Sequence, residues 1–136
     1  MYKIRQYEII IAALLHDIGK FKQRAYGGDE SKPNNFTKSI EGYILPVKLS
    51  HRHALWTYDF FENDLKYLDN LPKETNFTII RDLASNHHNP STADEEIISY
   101  SDRISASFDR IKEDENHYKR GDYLKKHLKP LFKIIF

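Results

Sequence analysis

The stretch Leu14-Leu15-His16-Asp17-Ile18-Gly19-Lys20 places a histidine and an aspartate side by side at the end of an apolar segment. A carboxylate buried in such a segment costs several kcal/mol unless a cation or hydrogen bonds compensate it. His16 supplies a neutral nitrogen ligand and Asp17 an anionic oxygen ligand, and the carboxylate is able to bridge two ions. The pair therefore predicts a metal site whose remaining ligands come from elsewhere in the chain.

Candidate ligands occur in three later segments. His51-Arg52-His53 opens one amphipathic stretch, Asn86-His87-His88-Asn89-Pro90 ends another, and Ser101-Asp102-Arg103 lies within a third. His51 and His53 compete for one ligand position, because residues two apart on a helix point to different faces. Simpler interpretations stay open, since the paired histidines could be surface residues at a helix end and Asp102 could pair with a neighbouring arginine.

Composition limits the class of protein and of metal site. The chain has 136 residues, enough for one domain. Its net charge of +1 does not favour electrostatic binding to long nucleic-acid duplexes. It has no cysteine, so strong ligands are restricted to His, Asp and Glu. No apolar run reaches about 18 residues, so we predict no membrane span and a cytoplasmic protein.

Apolar residues at helical spacing predict an all-α bundle of about five main helices. The predicted helices span about 4–21, 50–63, 75–88, 92–114 and 118–129. Ser50 is the predicted cap of the second helix, which places His53 in its first turn. Glycine, proline and asparagine between 22 and 49 predict a long loop after the first helix, of the kind that is often a lid or disordered.

Taken in order, the motifs resemble the HD superfamily of metal-dependent phosphohydrolases. More narrowly, they look like the N-terminal HD domain of the large, Csm-type subunit of type III-A CRISPR effector complexes, in a circularly permuted variant of the fold. The resemblance covers roughly residues 8 to 110. It rests on the segments Leu15–Phe21, Gln23-Arg24-Ala25, His53-Ala54, Ser85–Pro90 and Asp102–Ala106.

The resemblance implies a metal centre of one or two divalent ions. Such N/O ligand sets favour Mn, Ni, Co or Fe over Mg and over a closed structural zinc site. Catalysis would involve His16, Asp17 and Lys20, and phosphate binding would involve Lys20 and Arg24, although Lys20 could equally be a solvated lysine at a helix end. The implied metal ligands are His16, Asp17, His53, His87, His88 and Asp102.

One ligand expected of HD enzymes is missing from this pattern. Members commonly carry another histidine on a helix before the histidine–aspartate pair, here His16 and Asp17 and called the dyad below. None of the 15 residues that precede His16 is a histidine. In a permuted variant, His117 or His127 could supply it. The alternative is a site with fewer protein ligands and more water, which would bind one of its metals weakly.

The resemblance also implies a substrate and partners. The substrate would be single-stranded DNA, cut by a nuclease within a complex of other Csm subunits and guide RNA. In that family, polymerase-like palm domains with cyclase activity follow the HD module. The apolar segment Pro130–Phe136 therefore predicts that residues 1–136 are one HD domain excised from a larger subunit. Two alternatives stay open: a phosphohydrolase of nucleotides or cyclic dinucleotides, and a catalytically idle scaffold module.

Overall fold

Helices make up most of the part of the chain that the computed structural model describes, which is residues 2–26, 28, 31–34, 36–48, 50–65 and 75–114. No strand occurs among these residues, so the predicted all-α fold is confirmed. The elements are α1 (Tyr2–Leu15), α2 (Gly19–Tyr26), α3 (Lys38–Ile44), α4 (His53–Asn63), α5 (Phe77–Ser85), a 3-10 helix (Asn86–His88) and α6 (Ala93–Asp114). None of the described helices has the length and apolar character that a membrane span needs.

The chain divides into two compact units, Met1–Asp102 and Arg103–Phe136. Every predicted ligand that the structure describes belongs to the first unit. In the second unit the described residues, 103–114, continue α6. The helix predicted at 118–129 and the apolar tail lie outside the described residues, and a single domain over the whole chain stays a prediction.

Helix α4 is the centre of the first unit and packs against α2, α3 and α5, while α1 packs against α5. Apolar side chains on two sides of α4 are removed from water, and each such Leu, Ile or Phe side chain stabilises the fold by about 1.5–3 kcal/mol. One cluster is Ala12, Phe61, Leu65, Ile80, Leu83, Ala84 and Ile98, and the other is Ile44, Leu45, Ala54 and Leu55. The position of α4, and of His53 at its start, is therefore fixed from both sides.

The continuous helix predicted over 4–21 is wrong, because the chain turns at residues 16–18 between α1 and α2. The cause is Thr57 of α4. Its hydroxyl donates a hydrogen bond to the carbonyl oxygen of His16 at 2.9 Å and accepts one from the amide of Gly19 at 3.1 Å. These bonds replace the helical ladder at the dyad and leave His16 and Asp17 in a turn.

The long loop predicted over 22–49 is wrong in two places. Helix α2 continues to Tyr26, and α3 lies within the predicted loop. Thr37 caps α3, since its side chain accepts a hydrogen bond from the amide of Ile40. Ile44 and Leu45 at the end of α3 are buried in the second apolar cluster, and this packing stabilises a helix of only seven residues.

Helix α4 begins at His53 rather than after a Ser50 cap. His51 is the reason, because its φ of 63° is incompatible with a helix that passes through it. The hydroxyl of Ser50 instead lies 2.8 Å from Nδ1 of His51. The helix predicted over 75–88 begins two residues later, after the Asn76 cap, and its last three residues form the 3-10 helix.

Candidate metal centre

Seven of the predicted site residues converge in the first unit. They come from the turn between α1 and α2, the first turns of α2 and α4, the 3-10 helix and α6. His53 lies on α4, Lys20 on α2 and the paired histidines on the 3-10 helix, which both pack against α4, and Asp102 lies on α6. The seven residues are His16, Asp17, Lys20, His53, His87, His88 and Asp102.

The potential ligand atoms form two groups that share His87. In one group His53, His87 and His88 each offer an atom, and in the other His16, His87 and Asp102 do so. Within each group these atoms lie within 4.8 Å of one another, which is the spacing of donors around one ion. The convergence expected from the motifs is therefore present in the structure.

Asp17 lies between the two groups. Its Oδ1 atom is 3.2 Å from Nε2 of His53 and 3.9 Å from Nε2 of His87. Its Oδ2 atom is 3.6 Å from Nε2 of His16 and 2.5 Å from Nζ of Lys20. One carboxylate oxygen thus faces each group, which is the arrangement that a bridging carboxylate requires.

Hydrogen bonds to the backbone fix the orientation of two of these rings. Nδ1 of His16 lies 2.7 Å from the carbonyl oxygen of Ala13, and Nδ1 of His87 lies 2.7 Å from that of Ala84. A carbonyl oxygen only accepts, so Nδ1 carries the proton in both rings. In the neutral rings Nε2 is then a lone-pair donor directed into the cluster, as in histidines that bind metals.

Two buried polar atoms have no hydrogen-bond partner among the described residues at this point, Nε2 of His87 and Oδ1 of Asp17. Both carry lone pairs, and His53 approaches Oδ1 without hydrogen-bond alignment. Buried acceptors without partners cost about 1–3 kcal/mol each. A cation between them removes this cost, so the residues present fit a divalent metal ion.

The pKa shifts agree with a site that binds cations. Burial, helped by the charge of His16, lowers the pKa of His87 to about 4. Burial beside His87 lowers the pKa of His88 to about 2. Burial alone would raise the pKa of Asp17, but His53 and Lys20 outweigh it and hold that pKa far below its ordinary value. At neutral pH the rings of His87 and His88 are thus neutral ligands and Asp17 is an anion.

His16 and Asp102 form a closely coupled pair at the other side of the cluster. Nε2 of His16 lies 3.3 Å from Oδ1 of Asp102. Burial lowers the pKa of His16, but the neighbouring Asp102 and the Ala13 carbonyl raise it above its ordinary value. The bond to His16 lowers the pKa of Asp102 in turn. Without a metal ion a proton on His16 can occupy this position, and a metal ion would displace it.

The competition between His51 and His53 has a structural answer. His53 is buried and faces Asp17, whereas His51 is exposed and lies beside His88, with 4.0 Å between their ring centroids. His51 is the only described residue other than glycine with a positive φ. Such a backbone costs on the order of 1–3 kcal/mol and persists only where the surrounding structure holds it.

Three supporting residues were not predicted as part of the site. Thr57 holds the dyad turn, Asn86 donates to Oε1 of Glu95 at 3.0 Å, and Glu95 is only 3% exposed. Oε2 of Glu95 accepts from the amides of Ser91 and Thr92, and Thr92 Oγ1 accepts from the amide of Glu95. This reciprocal cap is visible in the sequence as Thr92-Ala93-Asp94-Glu95, whereas nothing local in the sequence indicates the role of Thr57.

The remaining predicted residues lie apart from this cluster or outside the described residues. Arg24 lies in the last turn of α2, one turn beyond Lys20, and its side chain is exposed. Its role in phosphate binding stays a prediction. His117 and His127 lie outside the described residues, so the source of a further histidine ligand also stays a prediction.

Comparison with known families matches residues 3–114 to the HD domain. The match covers most of the chain, and the chain therefore belongs to the HD-domain family. HD domains bind divalent metals and are in general metal-dependent phosphohydrolases, which agrees with the ligand groups described above. The comparison with curated proteins finds no match, and neither does the comparison with solved structures.

Proposed function

We propose that this HD domain is a metal-dependent phosphodiesterase that cuts single-stranded DNA, as the nuclease module of a type III-A CRISPR effector complex. The hydrolase assignment rests mainly on two lone-pair atoms, Nε2 of His87 and Oδ1 of Asp17, which lie between two groups of ligands and have no hydrogen-bond partner among the described residues. The narrower assignment is supported by the motifs that surround the ligands, above all Gln23-Arg24-Ala25 after the dyad and Pro90 after the paired histidines.

The ligands proposed to hold one or two ions are His53, His87 and His88 on one side and His16 and Asp102 on the other, with Asp17 between them. A divalent ion held there would act as a Lewis acid toward water and a phosphodiester, so that hydrolysis needs no nucleophile from the protein. Mn, Ni, Co or Fe suits these donors better than Mg.

The chain's own residues have two further tasks in this proposal. Lys20 pairs with Asp17 at the open side of the cluster, where about a third of each side chain is exposed (34% for both). Its ammonium group is placed to meet the charge of an incoming phosphate. The backbone bonds of His16 and His87 keep both imidazole rings in the tautomer that accepts a cation.

The open side of the cluster favours a flexible strand over a stiff duplex. A single strand can bend so that one phosphate reaches Asp17 and Lys20, whereas bending a duplex costs energy and its groove geometry holds the phosphates apart. In the proposed complex, other Csm subunits and a guide RNA would control this activity through the larger subunit that carries palm and cyclase domains.

The test is a substrate panel with protein freed of metal by chelation and then supplied with Mn²⁺. We expect cleavage of unstructured single-stranded DNA that stops when the metal is removed. Asp17→Asn should abolish it, and Asp82→Asn, the same change at a partly exposed carboxylate that pairs with Arg81, should not. Metal-dependent hydrolysis of nucleotides or cyclic dinucleotides without DNA cleavage would favour the small-molecule alternative. No hydrolysis of any substrate would favour the idle scaffold.

A further inference from the structure

A second feature of the first unit is a cleft of about 310 Å³ between α2, the segment after it and α4. Its walls include Tyr26, Trp56 and Asn34. On α4, Trp56 follows His53 by three residues, a rise of about 4.5 Å along the helix. Trp56 thus lies one helical turn after His53 on α4, and none of the cleft residues is a predicted metal ligand.

The aromatic wall is a stack of two rings, one buried and one exposed. The rings of Tyr26 and Trp56 are nearly parallel, at 14°, with centroids 5.4 Å apart. Trp56 is only 6% exposed, and its Nε1 donates a hydrogen bond to the carbonyl oxygen of Ser31 at 3.1 Å. Tyr26 is 68% exposed, so the stack presents an aromatic face to solvent where a further planar ring can bind.

The polar wall offers groups that suit a nucleotide. Asn34 is exposed and carries an amide, which both donates and accepts hydrogen bonds, as the edge of a base does. Lys32 lies at the rim with about half of its side chain exposed (48%), paired with Glu41. Nζ of Lys22 lies 2.5 Å from Oδ2 of Asp59 and 2.7 Å from Oδ2 of Asp64, so an ion-paired lysine lines the cleft.

We propose that the cleft between Tyr26 and Asn34 is a nucleobase-binding site. A planar base would stack on Tyr26 and its edge would meet Asn34, while its phosphate would stay at the solvent-exposed rim. The proposal rests on the proposed function for its place in catalysis, but base binding needs no metal. The base could belong to a single strand or to a free nucleotide, and the experiment separates these sources.

Trp56 is the only tryptophan of the chain, so its fluorescence reports on this cleft alone. The full chain is titrated in the presence of a chelator with thymidine 5′-monophosphate, with a short oligothymidylate and with an equally long abasic strand. We expect a saturable change in Trp56 fluorescence with both base-containing probes and none with the abasic strand. Identical responses to the abasic strand and the oligothymidylate would overturn the proposal.

Substitutions at Tyr26 test the stack itself. Tyr26→Leu should weaken oligothymidylate binding by roughly 5- to 150-fold, the range measured when one stacked base loses its aromatic partner. Tyr26→Phe keeps the ring and should bind like the wild type. Tyr7→Leu is the matched control, because Tyr7 is equally exposed (64%) and lies on α1. Equal affinities of Tyr26→Leu and Tyr7→Leu, both folded by circular dichroism, would contradict the proposal.

The two sources of the base give different affinities. If a strand is the ligand, oligothymidylate binds much more tightly than the mononucleotide, and if a free nucleotide is the ligand, the two bind alike. Both results support a nucleobase site. Because the titration contains no metal, a Trp56 response without any hydrolysis activity would sink the proposed function alone. Metal-dependent cleavage of DNA without a Trp56 response would sink the nucleobase site alone.

Discussion

His87 is the residue that both ligand groups of the candidate metal centre share. Its side chain is buried, its Nδ1 is committed to the Ala84 carbonyl, and its Nε2 has no hydrogen-bond partner among the described residues. His88 and Asp102 each belong to one group only. The geometry therefore assigns different consequences to the loss of each ligand.

We predict that these differences appear in the affinity for metal. Nε2 of His87 has one lone pair and binds one ion at a time, so a variant that keeps His87 also keeps one complete group. His87→Gln should therefore weaken Mn²⁺ binding more than His88→Ala or Asp102→Asn does. Isothermal titration calorimetry with metal-free protein measures the affinities, and circular dichroism checks that the variants fold. A His87→Gln protein that binds Mn²⁺ as tightly as the wild type would contradict the shared position of His87.

Asp17 provides a second prediction at this scale. Asp17→Asn removes the anion between the two groups, so hydrolysis should fall by at least about 100-fold. In the wild type, Mn²⁺ at 100 times its Kd should stabilise the fold by about 2.7 kcal/mol, and in the variant it should have little effect. Thermal melts with and without Mn²⁺ measure this difference.

The metal-free melts of the same two proteins separate catalysis from architecture. The Asp17–Lys20 pair is partly exposed, and such pairs contribute about 0–1 kcal/mol, so Asp17→Asn should melt within a few degrees of the wild type. A variant that melts far below the wild type without metal yet still cleaves DNA would show that Asp17 has a structural role instead.

At the scale of elements, the close approach of α2 to α4 determines the shape of the dyad turn. A Cβ added at Gly19 would lie 2.1 Å from the carbonyl oxygen of His53 and 2.3 Å from the amide of Thr57. Both neighbours are backbone atoms of α4 and cannot move independently. Glycine at this position is thus a condition for holding His16 and Asp17 beside His53.

We predict that Gly19→Ala destabilises the fold by about 1–3 kcal/mol or more and weakens metal binding, because α2 must move away from α4. Gly42→Ala on α3 is the matched control, since its Cβ would have no neighbour within 4 Å. Removal of a helical glycine there should raise stability by up to about 1 kcal/mol. Urea unfolding of the three proteins measures both changes. Equal stabilities of the two variants would contradict the close approach.

The sequence was sufficient for part of this arrangement. Helical periodicity predicted α6 to its last residue. The break between α1 and α2 was not predictable locally, because it depends on Thr57, 41 positions after His16. Likewise, the motifs indicated the ligands, but their division into two groups around Asp17 depends on contacts between distant elements.

At the scale of the whole molecule, paired charges limit how the protein can bind nucleic acid. The chain has a net charge of +1. Within the described part, five cationic side chains form ion pairs with carboxylates. They are Arg5 with Asp94, Lys20 with Asp17, Lys22 with Asp59, Lys32 with Glu41 and Arg81 with Glu62. In the described part, these pairs reduce the positive charge available to a duplex backbone.

We therefore predict a shallow dependence of DNA binding on salt and a preference for single strands. Anisotropy titrations of a labelled single strand, without divalent metal and at several salt concentrations, should give a log–log slope no steeper than about −2, which corresponds to about three phosphates. A blunt duplex of the same sequence should bind more weakly and, with Mn²⁺, be cut more slowly. Equal binding and cleavage of the duplex, with a slope steeper than about −5, would instead indicate an extended cationic track and contradict an open metal site that accepts one flexible strand.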